Sequence, residues 1–156
     1  MLKISLTEKS KELIKKMDAL DGKTWLQIMQ TAVNQISEYV INEVKDNLTG
    51  KVLKRGKGRL INSIGEDSKI DNAGSGKFVI RVGSNLIYAR IHEYGGTIVP
   101  KQARALVFQI GGRWIFAKKV TIPERSYLRT AVLDNKENIL KIYEYEIMRG
   151  LKAALA

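Results

Sequence analysis

Two glycines, Gly111 and Gly112, separate two runs rich in apolar and β-prone residues, Ala105 to Ile110 and Arg113 to Ala117. A two-residue hairpin loop of the primed type needs positive φ at both central positions, which glycine supplies without strain. A loop of that length also fixes the register. Ile110 must face Arg113, Gln109 must face Trp114, Phe108 must face Ile115 and Val107 must face Phe116. Because side chains alternate across a strand, Leu106, Phe108 and Ile115 share one face. Val107, Trp114 and Phe116 share the other. Both faces are apolar, whereas a hairpin in a two-layer fold needs only one. The second face is therefore either covered by the chain's own helices or kept for another subunit.

Helical patterns flank this hairpin. From Trp25 to Leu48, apolar residues recur with a helical period (Ile28, Met29, Ala32, Val33, Ile36, Val40, Val44), and Gly50 follows as a stop. Thr24 with Gln27 has the spacing of a capping box. Such a helix runs to ~37 Å at 1.5 Å per residue, and its stripe must lie along another element. An extended arm over Leu2–Leu6 and a helix over Glu8–Leu20 are expected ahead of it. Residues 59–64 read as a short helix with Leu60, Ile61 and Ile64 inward. Asp67–Asp71 and Lys77–Gly83 read as two strands. Helix resumes at Tyr127, with Asp134 and Glu137 spaced for a restart, and Ile139, Ile142, Tyr143, Ile147 and Leu151 forming a stripe. The expected class is α+β: an antiparallel sheet with a central hairpin, packed against a long N-terminal helix and a C-terminal helix. Over 156 residues this suits a single domain that buries about two-thirds of its unfolded surface. It would comprise an N-terminal arm and helices over 1–50, a basic loop and sheet over 51–126, and a C-terminal helix over 127–156.

Charge is distributed unevenly. Residues 51–131 hold sixteen basic and five acidic residues, while the segments on either side are each balanced, so the whole net charge of +11 lies in the middle. Lys51, Lys54, Arg55, Lys57 and Arg59 form one dense group, in a glycine-containing stretch that reads as a mobile loop. Lys118 and Lys119 follow the hairpin. A field of this kind suits a phosphate backbone or an acidic protein surface. The aromatic residues do not interleave with these charges as a stacking platform would require, and no helix-turn-helix or zinc-finger pattern is present. Phosphate contact by Lys51, Lys54, Arg55, Lys57, Lys118 and Lys119 is thus supported more than base readout.

Catalytic constellations are poorly supported. There is no cysteine and a single histidine, His92. A zinc site would need three carboxylates or a partner chain. His92 and Glu93 are adjacent, so on a helix they diverge by about 100° and on a strand they face opposite sides. Gly95-Gly96 lacks the lysine and hydroxyl residue of a phosphate loop. Glu93 and Glu124 are the only acids between Asp71 and Asp134, too sparse for a two-carboxylate hydrolase. The residues suggest no enzyme, no cofactor and no metal. No apolar run reaches the ~18–20 residues that cross a bilayer, and no signal-peptide core opens the chain.

In order and spacing, a set of short motifs resembles the bacteriophage virion morphogenesis, or tail-completion, family of head–tail neck and minor tail proteins. The set is Gly58-Arg59-Leu60 with Ser63-Ile64, then Tyr88-Ala89 with His92-Glu93-Tyr94-Gly95-Gly96, then Ile98 with Pro100-Lys101 and Ala103. After these come the Gly-Gly hairpin, Lys118 to Pro123, and Arg125 with Tyr127-Leu128. Ser126 departs from the family pattern, which has proline after the arginine; serine could cap the following helix instead. The resemblance implies a structural virion part, made in the host cytoplasm and placed at the head–tail junction. It would act as a ring with other neck and tail proteins around the passing DNA. It implies fold-defining roles for Arg59, His92, Glu93, Gly95, Gly96, Pro123 and Arg125. Candidate subunit contacts are Val107, Trp114, Phe116, Tyr94 and Tyr127. The alternative is a nucleic-acid-binding module without sequence preference.

Overall fold

A computed structural model describes residue 15 and residues 20–51, 58–66, 69–72 and 78–155. The expected arm at Leu2–Leu6, nearly all of the helix expected from Glu8, and Lys54, Arg55 and Lys57 lie outside the described residues. The chain is α+β, with helices toward both ends of the described region and short antiparallel strand pairs between them. Among the described residues the strands pair two by two, in three separate ribbons. The chain gathers into two compact units. One contains residues up to Tyr39, Lys69–Arg81 and the chain from Lys136 onward. The other contains Val40–Ser68 and Val82–Asn135.

The long helix is α1, Gly22–Asp46. Its cap is not the expected Thr24. The carboxylate of Asp21 accepts the Thr24 backbone N–H and the Thr24 hydroxyl, each at 2.8 Å. Asp21 thus stands at the cap position and Thr24 is already inside the first turn. An aspartate carboxylate is an effective acceptor for the exposed N–H groups there and suits the positive end of the helix dipole. These bonds hold the Asp21 carboxyl below its ordinary pKa.

In the first unit, the early part of α1 buries Ile28, Ala32, Val33 and Ile36. The facing helix is α5, Lys136–Ala154. Asn138 donates to the Tyr39 hydroxyl at 3.1 Å, and the Tyr143 hydroxyl reaches Met29 Sδ at 3.7 Å. Gly150 lies against Ile28, where an added Cβ would be 2.6 Å from Cγ2. Rising numbers on α5 meet falling numbers on α1, so the two helices are antiparallel, and a glycine lets them approach at one end. Glu146 is buried on α5 and pairs with Arg149 at 2.7 Å. β1 (Lys69–Asn72) and β2 (Phe78–Arg81) pair antiparallel in the same unit.

In the second unit, α1 continues with Val40 and Val44 buried and then widens into a π-helical turn over Asn47–Lys51. Gly50 breaks it at φ 148°. Helix α2, Arg59–Glu66, carries Ile64 fully buried. There follow α3 (Ala89–Tyr94), β3 (Gly96–Ile98), β4 (Leu106–Ile110), β5 (Arg113–Ala117), β6 (Val120–Ile122) and α4 (Tyr127–Leu133). β3 pairs with β6, and β4 with β5, both antiparallel. The core of this unit is Val40, Val44, Leu48, Ile64, Ala89, Tyr127 and Ala131. The expected restart near Asp134 appears as the gap between α4 and α5. There the Asp134 N–H donates to the Thr130 carbonyl, and the Asn135 amide donates to the Ala131 carbonyl and Glu43.

Candidate functional site

The hairpin forms in the register that the Gly-Gly loop dictates: Leu106 faces Ala117, Val107 faces Phe116, Phe108 faces Ile115, Gln109 faces Trp114 and Ile110 faces Arg113. Gly111 and Gly112 have φ of 55° and 82°, both in the region a primed turn demands. The Gln109 amide donates to the Gly112 carbonyl at 2.9 Å and closes the loop. The two faces differ in burial. Leu106, Phe108 and Ala117 are partly covered, while Ile115 on the same face is 36% exposed and Ile110, next to the turn, 64%. On the other face Val107 is 54% exposed, Trp114 66% and Phe116 71%. Lys101, Arg104, Lys118 and Lys119 flank the ribbon in sequence and are exposed, Arg113 is exposed on the opposite face, and no acid occurs from Gly95 to Pro123. The ribbon therefore presents an exposed aromatic face within a segment whose charges are all basic.

The segments on either side of this ribbon are tied together at Glu93. Helix α3 is only six residues long, and its C-terminal end abuts the strap that leads into α4. The strap's Arg125 and Ser126 N–H groups donate to the His92 and Glu93 carbonyls, both at 3.0 Å. Glu93 is 3% exposed. It turns back and accepts the backbone N–H groups of Leu128 at 2.8 Å and Arg129 at 3.1 Å. It is thus the cap of α4, supplied from 35 residues upstream. A buried carboxylate at a helix N-terminus satisfies two exposed donors and meets the positive end of the dipole.

Ser126 does not cap α4 through its side chain. It occupies the left-handed region at φ 48°, ψ 35°. Its hydroxyl donates to Glu124 at 2.6 Å and accepts from Arg129 at 2.8 Å. A proline, with φ fixed near −65°, could not take this conformation. Arg129 also pairs with Glu93 through Nε at 3.1 Å and with Glu124, and lies over the Tyr94 ring at 5.1 Å. The two carboxylates raise the Arg129 pKa, and the Ser126 and Arg129 bonds lower that of Glu124.

Gly95 completes the junction. Its φ of 67° with ψ of −174° belongs to glycine, and an added Cβ would lie 2.6 Å from the Glu124 backbone nitrogen. Tyr127 is fully buried, with its hydroxyl 3.4 Å from the Ala89 carbonyl. Burial first, then the charge of Glu93 and Tyr94, pushes its pKa up to about 12. Asn47 donates to the Tyr127 carbonyl at 3.0 Å and the Thr130 hydroxyl at 3.2 Å, linking the π-helical turn to α4.

His92, Glu93, Tyr94, Gly95, Arg125 and Tyr127 thus lie together, while Arg59 stands exposed at the start of α2. Gly96 faces Ile122 across the β3–β6 pair, and Pro123 is exposed at its end. Lys51 ends the π-helical turn. Asn47 and Arg129 have no signal in the sequence that marks them, because their partners are distant.

The chemistry this junction can perform is limited. An open cleft of about 230 Å³ is lined by Ser84, Arg90, Glu93, Tyr94, Tyr127 and Arg129. Of its three charged residues, Glu93 and Arg129 are already engaged with each other, and Glu93 with α4. His92 Nδ1 is buried without a hydrogen-bond partner, and burial together with Arg125 lowers its pKa. Among the described residues no group of three His, Cys, Asp or Glu side chains could hold a metal ion. Among them, too, no helix is long and apolar enough to cross a membrane.

Residues 11–95 match the model of the family described as "Bacteriophage HK97-gp10, putative tail-component". The match takes in α1, α2 and the motif through Gly95, and stops short of the hairpin and the strap. No curated protein and no solved structure matches the chain. With more than half of its 156 residues inside the family match, the chain belongs to the HK97-gp10-like family of phage tail components.

Proposed function

We propose that this protein is a structural part of the virion that completes the tail, or joins tail to head, as a subunit of a ring at the neck. The observation that carries this reading is the exposed face of Val107, Trp114 and Phe116 on a ribbon of fixed register. Aromatic side chains left in water on a rigid element are the usual anchors of a protein interface. A ring of identical subunits needs such a contact to be heterologous and to close. On the other face Leu106, Phe108 and Ala117 are partly covered, so the aromatic face is the more exposed of the two. Tyr94 is an exposed candidate contact, whereas Tyr127 is fully buried and contributes by holding α4. The same exposure accounts for partners among other neck and tail proteins.

The test is a phage carrying a deletion of this gene, imaged with and without the protein supplied in trans. The expected result is unjoined heads and tails without the protein, and with it a ring of density at the head-proximal end of the tail. Normal virions without the protein would overturn the proposal.

A second reading, a nucleic-acid-binding module without sequence preference, draws on the run from Gly95 to Pro123, which is basic throughout and exposed at all five of its charges. It requires the unassembled protein to bind duplex DNA with an affinity that falls steeply as salt rises. Absent or salt-independent binding removes it.

A further inference from the structure

The cleft beside α3 has an uneven supply of hydrogen-bonding groups. Its charged lining is Arg90, Glu93 and Arg129. Glu93 has little acceptor capacity left, because its two oxygens already take three N–H groups, one from Leu128 and two from Arg129. The Ser84 hydroxyl is shared between the Ser63 hydroxyl and the Leu86 N–H. Arg129 uses Nε on Glu93 and Nη2 on Glu124 and Ser126. Among the described residues its Nη1 has no hydrogen bond. Arg90 is exposed on α3, one turn before Tyr94, and has neither ion pair nor hydrogen bond among the described residues. The Tyr94 hydroxyl is equally open.

The groups left over are therefore donors, and two of the three are cationic. Glu124 and Arg125 lie outside the lining. With them included, three arginines stand against two glutamates, so one positive charge is unmatched. A planar guanidinium with all its donors open binds a carboxylate through two parallel bonds. The volume of about 230 Å³ is smaller than the ~300 Å³ or more of a small-molecule site and suits a single side chain. Tyr94, 59% exposed, and Ile87, 97% exposed in the turn that enters α3, add apolar surface. A protein segment can cover such surface, whereas a phosphodiester backbone cannot.

We propose that this cleft receives one carboxylate side chain, of aspartate or glutamate, from a partner protein. Arg90 is its ion-pair partner, Arg129 Nη1 and the Tyr94 hydroxyl are further donors, and an apolar neighbour in the partner segment rests on Tyr94 and Ile87. The site uses no hairpin residue and stands whether or not the hairpin face is a ring contact.

The test is a titration of the ¹⁵N-labelled full-length protein with the capped dipeptide N-acetyl-Leu-Glu-amide, followed by NMR. The expected result is saturable shifts of the Arg90 and Tyr94 backbone amides and of the Arg90 Nε–H. N-acetyl-Leu-Gln-amide, of the same shape without the charge, should bind about tenfold more weakly or less. Arg90→Gln should weaken the glutamate peptide by a similar factor and leave the glutamine peptide unchanged. Arg90 holds nothing in the fold, so the thermal unfolding curve of the variant should match the wild type. The glutamine peptide on the wild type gives the same reading without any substitution. No saturable shift, equal binding of the two peptides, or binding undiminished in Arg90→Gln would overturn the proposal. Tighter binding of inorganic phosphate at matched ionic strength would also overturn it, by assigning the cleft to a phosphate group.

Discussion

One carboxylate oxygen of Glu93 accepts both the backbone N–H and the Nε–H of Arg129, each at 3.1 Å. Two helices that are separate in sequence are joined by this bond pair, since Glu93 lies near the end of α3 and Arg129 in the first turn of α4. Replacing Glu93 by alanine leaves two N–H groups of α4 without a cap and removes a buried ion-pair partner. The expected loss of stability is about 2–4 kcal/mol by chemical denaturation. Glu93→Gln keeps an acceptor without the charge, and its loss should be smaller, about 1–2 kcal/mol. Equal stabilities of wild type and Glu93→Ala would show that the cap does not hold the unit together.

Gly95 tests the same junction through the backbone. Alanine at this position must abandon the glycine-only conformation or meet the Glu124 backbone, which cannot yield as a side-chain tip could. Gly95→Ala is expected to cost about 3 kcal/mol or more. Gly96→Ala should cost less, because the nearest atom to an added Cβ is the Ile91 Cδ1 at 3.4 Å and only the strained φ remains. The order of the two melting temperatures decides the point.

Gly150 probes the antiparallel packing of α1 and α5. An alanine Cβ there would lie 2.6 Å from Ile28 Cγ2 and 2.8 Å from Cγ1. Gly150→Ala is expected to destabilise by about 1–3 kcal/mol through overpacking. Ile28→Val retains both offending carbons and should give no relief, whereas Ile28→Ala removes them. In a double-mutant cycle the Ile28→Ala and Gly150→Ala costs should therefore sum to more than the cost of the pair.

Stability should change with pH at both ends of the range. His92 has its pKa lowered in the folded state by burial and by Arg125, so the unfolded chain binds the proton more readily. Its contribution is present above the ordinary value near 6.5 and is lost as pH falls from there through the lower folded value. Tyr127 is held protonated up to about 12. Above the ordinary tyrosine value near 10 the unfolded chain releases its proton first, and stability falls between these two values. His92→Gln should flatten the acid side and Tyr127→Phe the alkaline side of a urea-midpoint profile. Unchanged slopes in those variants would assign the pH dependence elsewhere.

The parts of the fold legible in the sequence are those fixed by local rules. Gly111-Gly112 sets a register for ten strand residues because a two-residue loop leaves one way to pair them. The stripe from Ile28 to Leu48 announces α1 because many turns repeat it. Helix α3 gives no such signal, since six residues are fewer than two turns and periodicity has nothing to repeat. β3 and β6, three residues each, exist because they pair with one another across more than twenty positions. The α4 cap is hidden for the same reason: Glu93 reaches it from a different helix, while the nearby Ser126, a good capping residue by type, is turned away in the left-handed region. At α1, Asp21 and Thr24 are both good caps by type, and which of them stands at the cap position depends on where the chain enters the first turn.

Exposed residues away from special geometry seldom change stability by more than about 0.5 kcal/mol, so Trp114 and Phe116 can be removed without unfolding the unit. The most direct measurement is the native mass of wild type and of Trp114→Ala/Phe116→Ala at matched concentration, with thermal unfolding of both as a control. The expected result is a closed oligomer for the wild type and a smaller species, with an unchanged unfolding curve, for the variant. An identical mass for the two proteins would contradict a hairpin face that belongs to a neighbouring subunit.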